Sequence, residues 1–503
     1  MTSRYRVEYA LKSHRRDEFI EWIKGLLAVP FVLHSDAQNY DGGDAAVYCK
    51  DQQEYETCLS QNEMQVALEC QKRYLEIFGD VEKLIAHTMF LDEMGSKRTG
   101  ADRTSTHDSI NSENGVETPY SYSGPYVAMS RLRRLVPSLG RFFTPLPLKE
   151  AFLFEDERRS ISKRRLVSPS FNDVRMILNT AQIIALSRIY QEKELSKLKL
   201  VTFDGDVTLY EDGKSLHKDD PIVSRLVKLL SLDLFVGVVT AAGYPGQLGA
   251  AMYYQRLKGL VDTIKESKDV TPQQRENLVI MGGESNYLFR YNNELGGFKF
   301  IEGEEWYLPI MKNWNKSKIH YIMEQTHKHL LQLQRKFNLN DNTTIIRKER
   351  SIGIIPNPGY RILREHLEEL VLSCSIKLNE FLSHTLDENF TVQMSEEDKE
   401  QTETNICSTD DDVKVCAFNG GSDVWVDIGD KSLGVECLQK YLCQNQNYDH
   451  ICPILKSESL HIGDQFASLG ANDFKARLSA CTVWIASPRE TVNALDDLIK
   501  HII

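Results

Sequence analysis

The stretch LKLVTFDGDVTLY, residues 198–210, decides the fold and carries the first functional signal. Its apolar first half, from Leu198 to Phe203, is typical of a strand buried in a parallel sheet. The strand ends at Asp204 and Asp206, two acids separated by one glycine. Because open α/β sheets bind ligands at the carboxyl ends of their strands, we predict a functional site here. The alternative is a turn in which the two acids only cap the strand.

Paired carboxylates and a nearby hydroxyl have the chemistry that phosphoryl transfer requires. One carboxylate can attack a phosphorus atom while a neighbour two residues away moves a proton. A second predicted strand, residues 232–239, is followed by Thr240, whose hydroxyl can donate a hydrogen bond to a phosphate oxygen. A threonine that caps the next helix is the competing interpretation of Thr240.

The composition limits the class of protein. A chain of 503 residues predicts roughly two to four domains. The net charge of −12 argues against a general nucleic-acid binder. No run of 18 apolar residues and no signal-peptide segment is present, so we expect no association with a membrane. The ten cysteines show neither a CxxC pair nor zinc-like spacing, which predicts reduced thiols in a cytoplasmic protein.

Helical and strand-like patterns divide the chain into three predicted parts. Residues 1–185 form a mainly helical N-terminal domain, with a loop rich in Ser, Gly and charge at about 92–126. Residues 186–245 and 412–503 alternate strands and helices, which predicts an α/β fold with a parallel sheet. Residues 246–411 break this alternation and are predicted to be an inserted α+β domain.

Basic residues are concentrated in the N-terminal domain. They cluster at 131–134, at 158–159 and in the segment Lys163, Arg164 and Arg165. Because arginine forks suit phosphate oxygens, these clusters could bind the phosphates of a nucleotide. A solvated surface, or pairing with the excess of acids, is the alternative.

Further polar residues follow predicted strand ends in the C-terminal part. Lys431 begins a helix, Asp464 ends a strand, and Asn472 and Asp473 lie in the next turn. With Asp204, Asp206 and Thr240, these pieces occur in the order found in the haloacid-dehalogenase-like phosphatase superfamily, which the chain resembles. The resemblance implies a Rossmannoid parallel sheet, and the insertion matches the position of a large, C2-type cap in that superfamily.

The superfamily resemblance also implies a role for each of these residues. Asp204 is implied to be the nucleophile, and Asp206 the general acid and base. Thr240 and Lys431 are implied to bind the remaining phosphoryl oxygens. The implied cofactor is Mg²⁺, held by the carboxylates of Asp204 and Asp464 and by the backbone carbonyl of Asp206.

A closer resemblance, to the IMP-specific 5′-nucleotidase family of fungi and apicomplexans, covers nearly the whole chain. It rests on RLVSPSFND from Arg165, TFDGDVTLYEDG from Thr202, VVTAAGYPG from Val238, IMGGESNYLFRY from Ile280 and GGSDVWVDIGDKSLGV from Gly420. It implies hydrolysis of IMP to inosine and phosphate, activation by ATP, and a homotetramer. The basic segment Lys163 to Arg165 is the candidate ATP effector site.

Four further residues are candidates for contacts with the substrate. Asp212 lies in the turn after the two acids and is expected to face the leaving group. Asp423 and Asp427 share one face of a predicted strand and could bind ribose or base, although solvent-facing acids are the alternative. Arg256 resembles a family position near the substrate, whereas an ordinary surface arginine is the competing interpretation.

Two other functions remain possible from the sequence. A phosphomannomutase-like or sugar-phosphate enzyme of the same superfamily would use the same acids. A non-catalytic nucleotide sensor would use the basic N-terminal region and keep the acidic residues as a relic. The intact set of Asp204, Asp206, Lys431 and Asp464 argues against the sensor.

Overall fold

The computed structural model describes residues 17–30, 52–101, 129–164, 167–187, 198–384, 413–444, 453–467 and 470–502. These residues form two compact units, with the boundary between Ala185 and Leu186. No described helix combines the length and the apolar character that crossing a membrane requires.

The N-terminal unit is helical, as its sequence predicts. Its helices span 18–30, Gln52–Ala101, Arg131–Leu135 and Leu148–Arg159, and a fifth, Phe171–Ser187, continues past the boundary between the units. Aromatic rings hold two of these helices together, because Tyr74 and Phe78 pack on Phe152 with ring centroids 5.8 and 5.2 Å apart. Ser170 and Asp173 cap the start of the last helix, because the N–H of each residue donates to the side chain of the other.

The predicted loop at 92–126 is wrong in its first ten residues. The helix that begins at Gln52 continues through this region to Ala101. Asp92 is anchored there by an ion pair with Arg133, at 2.7 Å between the carboxylate and the guanidinium group. Extending a helix that has already formed costs little free energy. Together with the ion pair of Asp92, this outweighs the low helix propensity of the two glycines that suggested a loop. The remainder of the predicted loop, from 102 on, lies almost entirely outside the described residues.

The larger unit contains a sheet of seven strands. In chain order they are β1 (Leu200–Phe203), β2 (Phe235–Thr240), β3 (Leu278–Gly282), β4 (Tyr287–Asn292), β5 (Gly297–Ile301), β10 (Ser459–Gly463) and β11 (Cys481–Trp484). The spatial order is β11-β10-β1-β2-β3-β4-β5. The first five strands in this order are parallel, and β4 and β5 are antiparallel additions. The predicted α/β class with a parallel core is therefore present, as a mixed sheet.

A second sheet of four antiparallel strands belongs to the same unit. Its strands are β6 (Thr343–Arg347), β7 (Ser351–Pro356), β8 (Val415–Asn419) and β9 (Val424–Ile428), in the order β6-β7-β9-β8. Buried apolar residues of both sheets form one continuous core with the helices Lys316–Lys336 and Arg364–His384.

The sheets correct the predicted limits of the insertion at 246–411. Strands β3 to β5 lie inside that range, yet they extend the seven-stranded sheet. Strands β8 and β9 lie in the predicted core, yet they pair with β6 and β7 in the second sheet. The acidic segment 395–411 at the end of the predicted insertion lies outside the described residues. An apolar strand pattern predicts a strand but not its partner, so sheet membership could not be derived from local sequence.

Helices cover both sheets and connect their strands. In the larger unit they span Pro221–Ser231, Gly246–Arg256, Lys258–Glu266, Pro272–Arg275, Gly303–Trp306, Pro309–Lys312, Lys316–Lys336, Arg364–His384, Lys431–Gln444 and Pro488–Ile502, with 3₁₀ turns at Lys456–Glu458 and Asp473–Leu478. Two residues, Gly429 and Asp430, separate β9 from the helix that begins at Lys431, the predicted helix start.

The short link from β9 to that helix passes through Gly429. This glycine has a φ of 94°, a conformation that L side chains rarely adopt. A Cβ atom on Gly429 would lie 2.2 Å from the carbonyl oxygen of Glu284, in the turn between β3 and β4. The link therefore requires glycine for both its backbone angle and its close approach to that turn.

We expect the substitution Gly429→Ala to lower the free energy of unfolding by roughly 3 kcal/mol or more. Gly421→Ala is the matched control, because Gly421 has a φ of 102° and nothing within 4 Å of an added Cβ. The control experiences only the backbone strain, about 1–2 kcal/mol. Urea denaturation of both variants measures the difference, and equal losses would contradict a steric role for the Glu284 carbonyl.

Candidate active site

The two acids of the opening stretch lie where the central strands end. The backbone N–H of Asp204 donates to the carbonyl of Ile462 in β10, at 2.9 Å, so the sheet fixes this residue directly. Thr240 ends the neighbouring strand β2, and both side chains are buried. A Cβ atom on Gly205 would lie 2.6 Å from the Tyr210 hydroxyl and 3.4 Å from the Thr240 hydroxyl. Only glycine therefore fits between the two acids.

Asp206 is more accessible to solvent than Asp204. Its carboxylate accepts a hydrogen bond from the backbone N–H of Gly213 at 3.0 Å, and 37% of the side chain is exposed. The next residue, Val207, has a φ of 60°, which is rare for a β-branched side chain. Strain of this kind persists where the surrounding structure enforces it, often at functional sites. The turn thus keeps one acid buried and the next one accessible.

Lys431 is the cation of the site and is fully buried. Its Nζ lies 2.8 Å from Oδ1 of Asp204 and 2.6 Å from Oδ1 of Asp473. The preceding residue, Asp430, caps the helix by accepting a hydrogen bond from the N–H of Leu433 at 3.0 Å. The helix start therefore sets the position of the lysine between the two carboxylates.

Asp473 connects the lysine to strand β10. Its Oδ1 also contacts Nε2 of His461 at 3.0 Å, and its Oδ2 accepts from the N–H of Gln465 at 2.9 Å. Burial lowers the pKa of His461, so the imidazole is neutral. Because an ionised carboxylate can only accept, Nε2 of the neutral ring carries the proton. Nδ1 lies 2.9 Å from the Thr202 hydroxyl in β1.

Three carboxylates converge in this centre. Oxygen atoms of Asp204, Asp464 and Asp473 lie within 4.8 Å of one another, and all three residues are buried. Hard divalent cations such as Mg²⁺ prefer oxygen ligands of this type. Lys431 contributes a single positive charge to the three acids, so the donor set and the charge excess both fit a divalent cation.

Burial and neighbouring charges shift the pKa values in this centre. Burial raises the pKa of Asp204 to about 7, although Lys431 opposes the shift. Burial opposes the charged forms of Asp473 and Lys431 as well. The charge of Lys431 nevertheless lowers the pKa of Asp473, and the charges of Asp204 and Asp473 raise the pKa of Lys431. A bound cation would favour the ionised form of Asp204.

Glu284 is a further buried acid beside this centre. It lies in the turn after β3, where Gly283, Glu284 and Ser285 have φ values of 63°, 49° and 77°. Its Oε1 accepts from the side-chain amide of Asn472 at 3.0 Å, and its N–H donates to the Thr240 carbonyl at 3.3 Å. Burial raises the pKa of Glu284 to about 8. The turn thus joins the end of β2 to the residue that precedes Asp473.

The fold and this geometry can be compared with known proteins. A family model for IMP-specific 5′-nucleotidase matches residues 1–495. The chain belongs to the IMP-specific 5′-nucleotidase family. The predictions of this family, and of an enzyme of this class, are therefore confirmed.

Relatives and solved structures agree with this family assignment. The IMP-specific 5′-nucleotidase 1 of Debaryomyces hansenii is 64% identical over 508 residues, covering 100% of this chain and 99% of that protein. An IMP-bound, N-terminally truncated IMP-nucleotidase of Plasmodium falciparum is 33% identical, with a TM-score of 0.58, and the match covers 74% of this chain and 84% of that chain. An ATP-bound structure of the Plasmodium falciparum protein has a TM-score of 0.56 at 34% identity, covering 74% and 75%.

The candidate substrate residues of this family member occupy different environments. Arg256 lies 4.0 Å from the Asp206 carboxylate and donates to the Lys214 carbonyl at 2.6 Å, so it borders the turn that follows the acids. Asp423 is half-buried, and burial together with the nearby charge of Asp212 raises its pKa. Arg256 therefore borders the turn that contains Asp212, and Asp423 lies near enough to Asp212 to feel its charge.

Asp427 is buried, so its interpretation as a solvent-facing acid is wrong. Only 2% of the residue is exposed. Its Oδ1 accepts from the Ser351 hydroxyl at 2.5 Å, across the β7–β9 pair. Burial raises the pKa of Asp427 to about 7. The buried environment agrees with a role in binding, and contact with the substrate stays a prediction.

The candidate effector segment is described only in part. Arg164 forms a two-pronged ion pair with Asp173, at 2.6 and 3.0 Å. Lys163 is exposed, and Arg165 lies outside the described residues. Arg164 therefore has a structural partner at the start of the helix Phe171–Ser187, so solvation alone does not account for it.

Two buried residues of the centre, His461 and Glu284, were absent from the predicted site, and Asp473 was named with the motif but given no role. The sequence shows Asp473 as part of a polar turn but gives no sign that it pairs with Lys431. In the sequence, His461 cannot be distinguished from an ordinary histidine of the hydrophobic core. The signal for Glu284 was the double glycine before it, at the end of a strand adjacent to β2.

Replacing Glu284 by glutamine should change how stability depends on pH. The native state keeps the proton up to about pH 8, whereas the unfolded state releases it near the ordinary glutamate pKa of 4.5. The wild-type protein therefore loses stability from this group as the pH rises between those values. Between pH 5 and 8 this loss of stability should amount to about 1–3 kcal/mol, and Glu284→Gln should remove it.

Urea denaturation at several pH values measures this slope. Glu304→Gln, at an exposed glutamate, is the matched control and should leave the slope unchanged. Parallel curves for wild type and Glu284→Gln would contradict the proposed protonation of Glu284.

Proposed function

We propose that this family member hydrolyses IMP to inosine and phosphate through an aspartyl-phosphate intermediate, with Mg²⁺ as cofactor. Family membership and the names of the relatives support the substrate. The observation that carries the mechanism is the position of Asp204, buried at the end of β1 and adjacent to Lys431 and Thr240. The family assignment disfavours the phosphomannomutase-like alternative.

The proposed reaction has two steps at the two acids. In the first, a carboxylate oxygen of Asp204 forms a bond to phosphorus while the bond to the 5′ oxygen of the nucleoside breaks. Asp206 gives its proton to this leaving oxygen. In the second step, Asp206 takes a proton from water as the water oxygen attacks phosphorus, which releases phosphate and restores Asp204. The accessible carboxylate of Asp206 suits an exchange of protons with substrate and water.

Lys431 and Thr240 are proposed to bind the phosphoryl oxygens that do not react. Negative charge on these oxygens is stabilised best by donors that are already in place. Lys431 is held by its buried carboxylate partners, and Thr240 by its strand. Neither side chain needs to reorganise during the reaction, which favours catalysis.

Asp204, Asp464 and Asp473 would hold the magnesium ion, together with the backbone carbonyl of Asp206. When bound, Mg²⁺ neutralises charge between the anionic nucleophile and the anionic phosphate. Asp473 is an addition to the set predicted from sequence, and the support for it is the convergence of the three carboxylates. Asp212, Arg256, Asp423 and Asp427 are proposed to contact the nucleoside.

The finer architecture and the biological setting also belong to this proposal. The parallel order of β10, β1, β2 and β3, with acids at the end of β1, supports a haloacid-dehalogenase-like core. The four-stranded sheet is proposed to be the C2-type cap. A cytoplasmic homotetramer activated by ATP is proposed from the family resemblance, and the ATP-bound Plasmodium falciparum structure supports the nucleotide.

Asp204→Asn should abolish turnover while the protein stays folded. The amide has the shape of the carboxylate but cannot attack phosphorus, so phosphate release from IMP should fall by about 10⁴-fold or more. Asp219→Asn, at an exposed acid of the same unit, is the control and should keep full activity. Release within tenfold of wild type would exclude Asp204 as the nucleophile.

Asp206→Asn should separate proton transfer from metal binding. Because the proposed metal contact of Asp206 is its backbone carbonyl, the magnesium affinity should change little. The rate at saturating magnesium should fall by about 10²–10⁴-fold. A large loss of magnesium affinity with a near-normal rate would reverse the two roles.

The ATP effector site is proposed to include Lys163, Arg164 and Arg165. Substituting Arg164 also removes the partner of Asp173, so Lys163→Ala with Arg165→Ala is the cleaner test. ATP should shift the IMP saturation curve of wild type by a coupling of about 1–3 kcal/mol, and this shift should be lost in the variant. Activity at saturating IMP without ATP should be preserved.

The control for this experiment is Lys72→Ala with Lys83→Ala, which removes two exposed cations from the same unit. It should keep the full response to ATP. An equal shift in all three proteins would place the effector site elsewhere.

A further inference from the structure

A cationic cleft in the larger unit has no part in the proposed reaction. It encloses about 600 Å³, which is within the range of small-molecule sites. Its lining residues are Lys316, Ile319, His320, Arg347, Lys348, Glu349 and Arg350. None of the residues assigned above to catalysis, metal or nucleoside is among them.

Two structural elements bring these charges together. Arg347 ends β6, and residues 348 to 350 form the turn to β7, which is closed by a hydrogen bond from the N–H of Lys348 to the carbonyl of Ser351 at 2.7 Å. Lys316 is the first residue of the helix Lys316–Lys336, which is capped by the Asn315 side chain. A turn and a capped helix start are well-defined elements, so the cleft is a fixed feature of the fold.

The cations of the cleft are in excess over its acids. Arg347 is paired with Glu324 at 2.6 Å. Within the described parts of the chain, no carboxylate lies within 4.0 Å of the charged nitrogens of Lys316, Lys348 or Arg350. With Glu324 counted beside Glu349, the four cations exceed the two acids by two positive charges. This concentration is notable in a chain whose net charge is −12.

The lining indicates the chemical class of the ligand. Ile319 is the single apolar residue of the lining, and the lining contains no Phe, Tyr or Trp. Arginine forks and lysine ammonium groups suit phosphate oxygens. A chain of phosphates can contact cations on both the turn and the helix start, whereas one phosphate ion can contact fewer of them. We propose that the cleft binds an oligophosphate, either inorganic or as the phosphate chain of a nucleotide.

The cleft also borders two loops of the catalytic centre. Lys348 Nζ lies 3.5 Å from the carbonyl oxygen of Gly243, in the segment that follows Thr240. Arg350 donates to the side-chain oxygen of Asn286 at 3.1 Å, in the turn that contains Glu284. A bound anion would compete for the same two cations. The site nevertheless stands on its own charges and does not depend on the proposed hydrolysis.

Calorimetric titration of the whole protein with tripolyphosphate tests the proposal, in the absence of magnesium, which would chelate the ligand. Wild type should bind with saturation, and Lys316→Ala combined with Lys348→Ala should weaken binding by about 30-fold or more. The control is Lys336→Ala with Lys377→Ala, which removes two exposed, ion-paired cations of the same unit. It should change the affinity less than twofold.

Two results would overturn the proposal: no saturable binding by wild type, or equal losses in the cleft variant and the control. Inorganic phosphate, as a second ligand, should bind at least tenfold more weakly than tripolyphosphate, and equal affinities would exclude an oligophosphate site.

Titration with a nucleoside triphosphate distinguishes the two sources of the phosphate chain. If the cleft variant weakens it by the same factor, the cleft accepts the chain of a nucleotide. If the nucleotide affinity is unchanged while tripolyphosphate weakens, the cleft is specific for inorganic chains.

Discussion

The ion pairs of Lys431 with Asp204 and Asp473 join three segments of the larger unit that are far apart in the sequence. Each partner is buried, and an unpaired charge in such an environment costs several kcal/mol. The lysine therefore holds the end of β1, the start of the helix Lys431–Gln444 and the turn after β10 in one arrangement. It also offsets part of the negative charge of the three carboxylates that lie close together. The geometry of the site follows from this constraint.

Local patterns were sufficient to predict the residues at strand ends and helix starts. Asp204, Thr240 and Lys431 each follow a clear apolar strand or begin a helix, and the structure places them there. The same patterns could not assign strands to sheets. The apolar residues of β3 and of β9 look alike in the sequence, although one strand extends the seven-stranded sheet and the other belongs to the four-stranded sheet. Pairing between distant strands depends on the whole chain, and no short window contains it.

The residues missed in the sequence are those whose importance comes from burial. An acid between glycine and serine, such as Glu284, resembles a solvated turn residue until the neighbouring loops are placed over it. Asp427 shows the same effect, since the alternating pattern of its strand is compatible with either face being exposed. Side chains of this kind have raised pKa values because burial opposes their charged forms. Sequence patterns report which residues can be charged, whereas the folded environment decides whether they are.

The turn that contains Glu284 also links the two sheets mechanically. Its Asn286 side chain donates to the carbonyl of Ile428 at 2.6 Å, and its backbone crowds Gly429. From Gly429 the chain needs only Asp430 to reach Lys431. If the four-stranded sheet moves, it must therefore either shift Lys431 through Gly429 and Asp430 or break the contacts of this turn. Because Lys431 is fixed between buried carboxylates, the cost of moving it resists such displacements. The position of the second sheet and the arrangement of charges around Lys431 are therefore coupled.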